Sequence, residues 1–159
     1  MTIGGLLVKK MLNSEIVDYV EKVPCLKQHF LGVFSIDNFP KKLTERSCFI
    51  CNTSKSNEVG THWISFIKSE KKTIEIFDSL GTKIDILRPF LKFRGNPKIL
   101  YNDCAFQSFT SNTCGYFALT FLIERSFNLD LKYKQVLAEI FDIDSTINEK
   151  IVVEFCKNL

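Results

Sequence analysis

Long apolar runs, glycine and proline are all scarce in this 159-residue sequence, which has 4 Pro and 7 Gly. No apolar stretch approaches the roughly 18 to 20 residues that a membrane-spanning helix needs, so no membrane span is predicted. The first ten residues have no basic segment before their short apolar run and no cleavage site after it, so no secretory signal is predicted. No segment is repetitive or rich in linker residues, and residues 1–159 are expected to form a single domain.

A strong excess of charge of one sign is also missing. Lys and Arg number 21 against 18 Asp and Glu, a net charge of +3 that permits contact with nucleic acid but identifies no partner. Hydrophobic residues make up 45% and charged residues 25%, which excludes intrinsic disorder as the main description. The oligomeric state stays open.

The six cysteines could in principle form three disulfides, but a chain of this length with 15 Phe can build a core without them. We therefore expect free thiols in a reducing, intracellular compartment. The pair Cys48 and Cys51 has the spacing of some metal sites. In an extended strand these two side chains point to opposite faces, so no metal site is predicted.

The order of elements predicts an α+β fold, with a small mixed or antiparallel sheet packed against helices. An amphipathic helix is expected at 14–23, ended by Pro24, and 30–40 looks irregular. Strands are expected at 47–51 and 98–101, a β-hairpin at 62–67 and 73–78, and a broken helix at 83–93. Three further helices are expected near 112–127, 132–142 and 147–158, the last with a capping box from Thr146 to Glu149.

Cys114 is the first candidate for chemistry, because it stands at the predicted start of an apolar helix with Asn112 or Thr113 as N-cap. A helix N-terminus stabilises a thiolate and lowers its pKa, which favours a nucleophile. Gly115 would let a substrate backbone approach closely. The alternative is that Cys114 is a small apolar residue of a core helix.

His62 and Asp78 lie at the ends of the two strands of the predicted hairpin. With the turn centred near residue 70 they face each other, so the carboxylate can reach the imidazole. A carboxylate-bound imidazole can take a proton from a thiol. The ordinary alternatives are a structural histidine and an aspartate that belongs to a turn.

Gln107 precedes Cys114 by seven residues, near enough for its amide to return beside the thiol. An amide N–H next to a helix-terminal N–H makes an oxyanion hole for acyl transfer, whereas a surface glutamine is the ordinary alternative. The four residues together predict hydrolysis by a cysteine nucleophile, with no metal or organic cofactor.

These motifs, with the similar segments 30–32, 39–40, 48–53, 60–66 and 77–81, resemble the adenovirus-type cysteine protease family, adenain. The superfamily also contains the ubiquitin-like-protein-specific proteases. The resemblance covers about residues 14–130 and implies an adenain-like fold. It implies that His62 is the general base, Asp78 its orienting acid, Gln107 an oxyanion donor and Cys114 the nucleophile, with Trp63 beside the histidine at the substrate site.

The resemblance implies a viral, or virus-like element, endopeptidase that cuts precursor polyproteins after Gly-containing motifs during virion maturation, in the host nucleus and the virion. Three alternatives stay open: a protease that removes ubiquitin-like modifiers, an acyltransferase acting on Ser, Thr or Lys, and a catalytically silent relative that binds DNA or capsid.

Two features depart from the family pattern. The adenovirus enzymes have Glu where this chain has Asp78, although Asp serves the same role. Their activating peptide is joined through a cysteine further upstream of the oxyanion glutamine than Cys104 is here. An activating peptide or DNA, with Lys92, Arg94 and Lys98 as candidate contacts, is implied only by the resemblance. The pair Gly4 and Gly5 resembles the di-glycine that the superfamily cleaves, which suggests self-processing.

Overall fold

The computed structural model describes residues 2, 3 and 6–159, with side chains from residue 8 onwards. The suggested self-processing site at Gly4 and Gly5 lies outside the described residues. Within them the chain forms seven strands and six α-helices. None of the described helices has the length and apolar character needed to cross a membrane.

The strands are β1 (Thr2–Ile3), β2 (Leu6–Leu7), β3 (Phe30–Ser35), β4 (Cys48–Asn52), β5 (Trp63–Glu70), β6 (Thr73–Phe77) and β7 (Lys98–Tyr101). The α-helices are α1 (Asn13–Glu21), α2 (Pro24–Lys27), α3 (Ile84–Leu87), α4 (Cys114–Phe127), α5 (Tyr133–Ile140) and α6 (Ser145–Lys157). A 3₁₀ turn, Arg88–Phe90, follows α3.

The main sheet has the order β3-β4-β5-β6-β7, and β1 pairs with β2 separately. Its outer pairs, β3 with β4 and β6 with β7, are parallel, whereas β4, β5 and β6 run antiparallel to one another. The fold is therefore α+β with a mixed sheet, as the order of elements predicted.

Both faces of the main sheet are buried, which explains why its central strands are apolar without alternation. From β4, Cys48 and Ile50 pack with the apolar faces of α1, α4, α5 and α6. Phe49 and Cys51 pack on the other face against the segments 36–43 and 84–93. The helix α4 is the central one, with ten of its fourteen residues buried.

The hairpin of β5 and β6 is confirmed, but its register differs from the predicted one. Ser65 lies opposite Phe77, and Phe66 opposite Ile76. Continued by one residue, this register sets Ile64 opposite Asp78. His62 therefore lies two residues before the residue that faces Asp78, just ahead of the start of β5. Because side chains alternate with a period of two, a shift of two residues keeps the same face.

Three other expectations are corrected. Residues 30–35 form the edge strand β3 where irregular structure was expected. Pro24 ends no helix but begins α2, because proline suits the first helical position, where no N–H is needed. The N-cap of α6 is Asp144, whose carboxylate accepts a hydrogen bond from the Thr146 N–H, so the predicted capping box does not form.

Candidate active site

Cys114 is the first residue of α4, and its side chain is buried against β5. Thr113 is the N-cap, and its side chain makes no capping hydrogen bond. Burial by itself would raise the pKa of the Cys114 thiol. The nearby His62 ring and its charge outweigh burial, with smaller help from the Trp63 backbone and Lys10, and hold the pKa of the thiol below its ordinary value.

His62 lies between Cys114 and Asp78. Its Nε2 donates a hydrogen bond to Oδ1 of Asp78 at 2.7 Å, and the Cys114 thiol lies near enough to affect the pKa of the ring. Burial would lower the pKa of His62, but the two acidic neighbours raise it to about 9. A charged imidazole beside a thiol of lowered pKa favours the thiolate form of Cys114.

The carboxylate of Asp78 is completely buried, yet both of its oxygens have partners. Oδ1 also accepts the Leu80 N–H at 2.8 Å, while Oδ2 accepts the Thr82 N–H at 3.2 Å and the Tyr101 hydroxyl at 3.1 Å. Burial would raise the pKa of Asp78, but the bond from His62, the charge of that ring, and the Thr82 and Leu80 donors lower it. The carboxylate is therefore held ionised and in one orientation.

Asn102 supports the backbone of Asp78, and sequence reasoning missed it. Its side chain, which is buried, hydrogen-bonds both backbone polar groups of Asp78. The Tyr133 hydroxyl, from α5, donates to Asn102 Oδ1 at 3.3 Å and to the Ile76 carbonyl at 2.7 Å. An asparagine just after a short strand is an ordinary turn signal, so no local pattern indicated this role.

Gln107 is buried, which contradicts the surface-glutamine alternative. Its Oε1 accepts the Ser79 hydroxyl at 2.6 Å, which directs Nε2 toward Ser111. Nε2 donates to the Ser111 carbonyl at 3.2 Å and to its hydroxyl at 2.9 Å. The amide is thus held in one orientation, and Ser111 occupies its donors in this structure.

Trp63 and Gly115 are in contact with the chain's own Met11. The indole Nε1 donates to the Met11 carbonyl at 3.0 Å. A Cβ on Gly115 would lie 2.8 Å from the Met11 Cβ and 3.3 Å from Cδ1 of Trp63. The close approach at Gly115 is therefore made by Met11, and contact of Gly115 with a substrate stays a prediction.

Among the described residues, the surface cavities beside candidate residues of the sequence analysis include three larger ones. One of about 470 Å³ runs beside Trp63, between Lys10, Phe34 and Val59. A second, of about 420 Å³, includes the exposed Cys104. The third, of about 380 Å³, is shallow and includes Lys92 and Arg94, together with Lys41 and Lys42. The activating peptide and the DNA contact stay predictions.

The other thiols differ from Cys114. All six cysteines, each within the described residues, are free. Cys48 and Cys51 pack on opposite faces of the sheet, and burial raises the pKa of Cys48 to about 12. Among the described residues, no group of three or more His, Cys, Asp or Glu is placed to hold a metal ion.

Comparison with known proteins gives little beyond this geometry. No protein-family model matches the chain, and no curated protein matches it. Among solved structures it is similar to the crystal structure of the ASFV pS273R protease, at 20% identity and a TM-score of 0.42. The similarity covers 65% of this chain and 43% of that one, so this chain spans less than half of the neighbour's length.

Proposed function

We propose that the chain is a cysteine protease, with Cys114 as nucleophile and His62 as general base and acid. The observation that carries this proposal is the placement of His62, which bonds Asp78 at 2.7 Å and lies close enough to Cys114 for the two groups to shift each other's pKa. A buried imidazole between a carboxylate and a thiol at a helix N-terminus suits acyl transfer.

The proposed reaction begins with attack of the Cys114 sulfur on the carbonyl carbon of a peptide bond. The His62 imidazolium gives its proton to the leaving amine as the carbon–nitrogen bond breaks, which leaves a thioester on Cys114. His62 then takes a proton from water, whose oxygen attacks the thioester. The carboxylic acid product leaves, and the thiolate and imidazolium pair is restored.

Asp78 orients the ring in this scheme and stabilises its charged form without taking the proton itself. Gln107 would share the oxyanion of each tetrahedral intermediate with a backbone N–H at the start of α4. Because Ser111 holds the Gln107 amide in this structure, a substrate oxygen has to replace a Ser111 contact. The role of Gln107 therefore includes a small rearrangement of its side-chain amide or of Ser111.

The groove beside Trp63 is the proposed place for the substrate. Precursor polyproteins of a virus or virus-like element, cut after Gly-containing motifs, are the proposed substrates, and the sequence resemblance supports them. Faster cleavage of a short Gly-containing peptide than of a folded ubiquitin-like fusion supports this choice over the removal of such modifiers.

The nucleophile is tested by alkylation with iodoacetamide between about pH 5 and pH 9, with each cysteine followed by peptide mass spectrometry. Near pH 6 we expect Cys114 to react about tenfold or more faster than the exposed Cys104, because only a thiolate reacts. His62→Ala should remove this advantage. His29→Ala, which changes the other histidine, is the matched control and should leave it unchanged.

Equal labelling of Cys114 and Cys104 in the wild type would contradict the assignment of Cys114 as nucleophile. Equal effects of His62→Ala and His29→Ala on the labelling of Cys114 would contradict it as well. Hydrolysis is then tested by digesting a mixed peptide library with the wild type and with Cys114→Ser. New carboxyl termini that appear only with the wild type support a protease, and their residues give the cleavage motif.

A further inference from the structure

Two adjacent side chains of α6 hold the backbone on both sides of Gln107. Asn148 donates through Nδ2 to the Phe106 carbonyl at 3.1 Å, and Glu149 accepts the Ser108 N–H through Oε1 at 3.0 Å. Asn148 is 0% exposed and Glu149 is 1% exposed. The segment that carries the proposed oxyanion donor is therefore clamped by residues far along the chain.

The same segment is held from the opposite side by Ser79, the neighbour of Asp78. The Ser79 carbonyl accepts the N–H groups of Phe106 at 2.8 Å and of Gln107 at 3.0 Å. The Ser79 hydroxyl donates to the Gln107 side chain. Gln107 is thus fixed between the end of β6 and the first turns of α6.

The side chains of α6 are themselves anchored. Asn148 accepts the Asp142 N–H at 2.7 Å and donates to the Asp142 carbonyl at 2.8 Å, which ties the first turn of α6 to the preceding loop. The second carboxylate oxygen of Glu149 is buried without a hydrogen-bond partner. A half-satisfied buried carboxylate is unfavourable for folding, which argues for a role besides stability.

We propose that Asn148 and Glu149 are positioning residues that set the place of Gln107 in the oxyanion hole. The inference rests on the proposed function and adds two residues outside the segment of sequence resemblance. No hydrogen bond of the His62 or Asp78 side chains in this structure involves α6. The clamp should therefore affect the step that forms an oxyanion and leave the thiolate unchanged.

Two small reagents separate these steps at Cys114. With iodoacetamide the thiolate displaces iodide from a saturated carbon, and no oxyanion forms. With p-nitrophenyl acetate the thiolate adds to a carbonyl and forms an oxyanion; the carbon–oxygen bond then breaks, giving p-nitrophenolate and an acetyl thioester. The ratio of the acetylation rate to the alkylation rate measures the oxyanion hole alone.

The experiment uses the full chain and follows Cys114 by peptide mass spectrometry. Glu149→Met removes the acceptor, and we expect the rate ratio to fall about tenfold or more, toward the value of Gln107→Ala. The double variant with Gln107→Ala should fall no further than Gln107→Ala. Glu149→Gln keeps an acceptor oxygen and should retain the wild-type ratio, as should Glu154→Ala on the exposed side of α6.

An unchanged ratio in Glu149→Met, or additive losses in the double variant, would overturn the positioning role. Should Glu149→Met fail to fold, Asn148→Ser replaces it, since serine can keep one hydrogen bond to the loop but loses the bond to Phe106. A wild type in which Cys114 is neither alkylated nor acetylated preferentially shows failure of the proposed function itself. Failure of the inference alone appears only in the variants.

Discussion

Asn102 and Asp78 exchange two hydrogen bonds that lock the end of strand β6. The Asp78 N–H donates to Oδ1 of Asn102 at 2.9 Å, and Nδ2 of Asn102 donates to the Asp78 carbonyl at 2.6 Å. The last backbone pair between β6 and β7 joins Ile76 to Tyr101. The Asn102 side chain therefore continues the pairing past the end of the ladder, and this directs the Asp78 carboxylate toward His62.

Replacing Asn102 by alanine should leave the Asp78 N–H unpaired, while the Asp78 carbonyl keeps its bond from the Gly81 N–H. We expect a loss of about 1 to 3 kcal/mol in the free energy of unfolding, because buried polar groups without partners are costly. We also expect slower alkylation of Cys114 at neutral pH, because Asp78 no longer holds His62. Asn128→Ala, which removes a side-chain bond to the Glu124 carbonyl elsewhere, is the control for stability alone. Equal alkylation in the two variants would contradict the role of Asn102.

The pKa shifts predict how acyl transfer by Cys114 depends on pH. The pKa of the thiol is lowered and that of His62 is raised to about 9, so the reactive ion pair exists at pH values above the pKa of the thiol and below about 9. The rate should rise with pH as the thiol loses its proton, and fall above about pH 9 as His62 loses the proton that the leaving group needs.

Asp78→Asn tests the cause of the alkaline limb of this profile. Removal of the carboxylate should lower the pKa of His62, so the limb moves to lower pH. The pH profile of peptide cleavage, measured for the wild type and for Asp78→Asn once a substrate is in hand, checks this prediction. A limb that stays near pH 9 in Asp78→Asn would show that the carboxylate does not raise the pKa.

Gly115→Ala should destabilise the protein because Met11 and Trp63 fill the space for a side chain. We expect a loss of about 1 to 3 kcal/mol from overpacking, measured by urea unfolding. Met11→Gly removes the Cβ that lies 2.8 Å from the new methyl group. The double variant should therefore lose less free energy of unfolding than the sum of the losses in the two single variants. A loss equal to that sum would exclude a direct clash.

The buried ion pair of Arg125 and Glu75 joins α4 to β6. Its two hydrogen bonds measure 2.7 and 2.9 Å. Arg125→Met should cost about 3 to 5 kcal/mol, because it leaves the Glu75 charge buried without a partner. Arg125→Met with Glu75→Gln should cost less than the single change. The exposed pair of Arg88 and Asp85 is the control, and Arg88→Met should cost about 0 to 1 kcal/mol in the same urea experiment.

The helices and strands that were predicted correctly are those whose own residues show a clear local pattern. The hairpin of β5 and β6 is a run of β-branched and aromatic residues around a polar turn, and α4 is apolar over its whole length. Strand β3 was missed because it is a half-buried edge strand. Gly32, at φ +128°, interrupts it, and the pairing register shifts between Phe30 and Val33.

The contacts that support the candidate site were not predicted from the sequence, for a different reason. Glu149 fits a capping box three residues after Thr146, yet Asp144 caps α6 and Glu149 reaches Ser108 instead. Ser79 and Asn102 likewise act on the backbone of segments distant in sequence. A side chain that pairs with remote backbone leaves no local pattern, so none of these contacts could be predicted.

By itself the sequence determined the chemical types at the site, the order of helices and strands, and the α+β class, because periodicity and rare residue types are local properties. Only the tertiary structure decided the hairpin register, the burial of Asp78 and Gln107, and the proximity of His62 to Cys114. Each of these depends on groups far apart in the chain, whose charges and hydrogen bonds affect one another only once the core has brought them together. The lowered pKa of Cys114 is therefore a property of the fold.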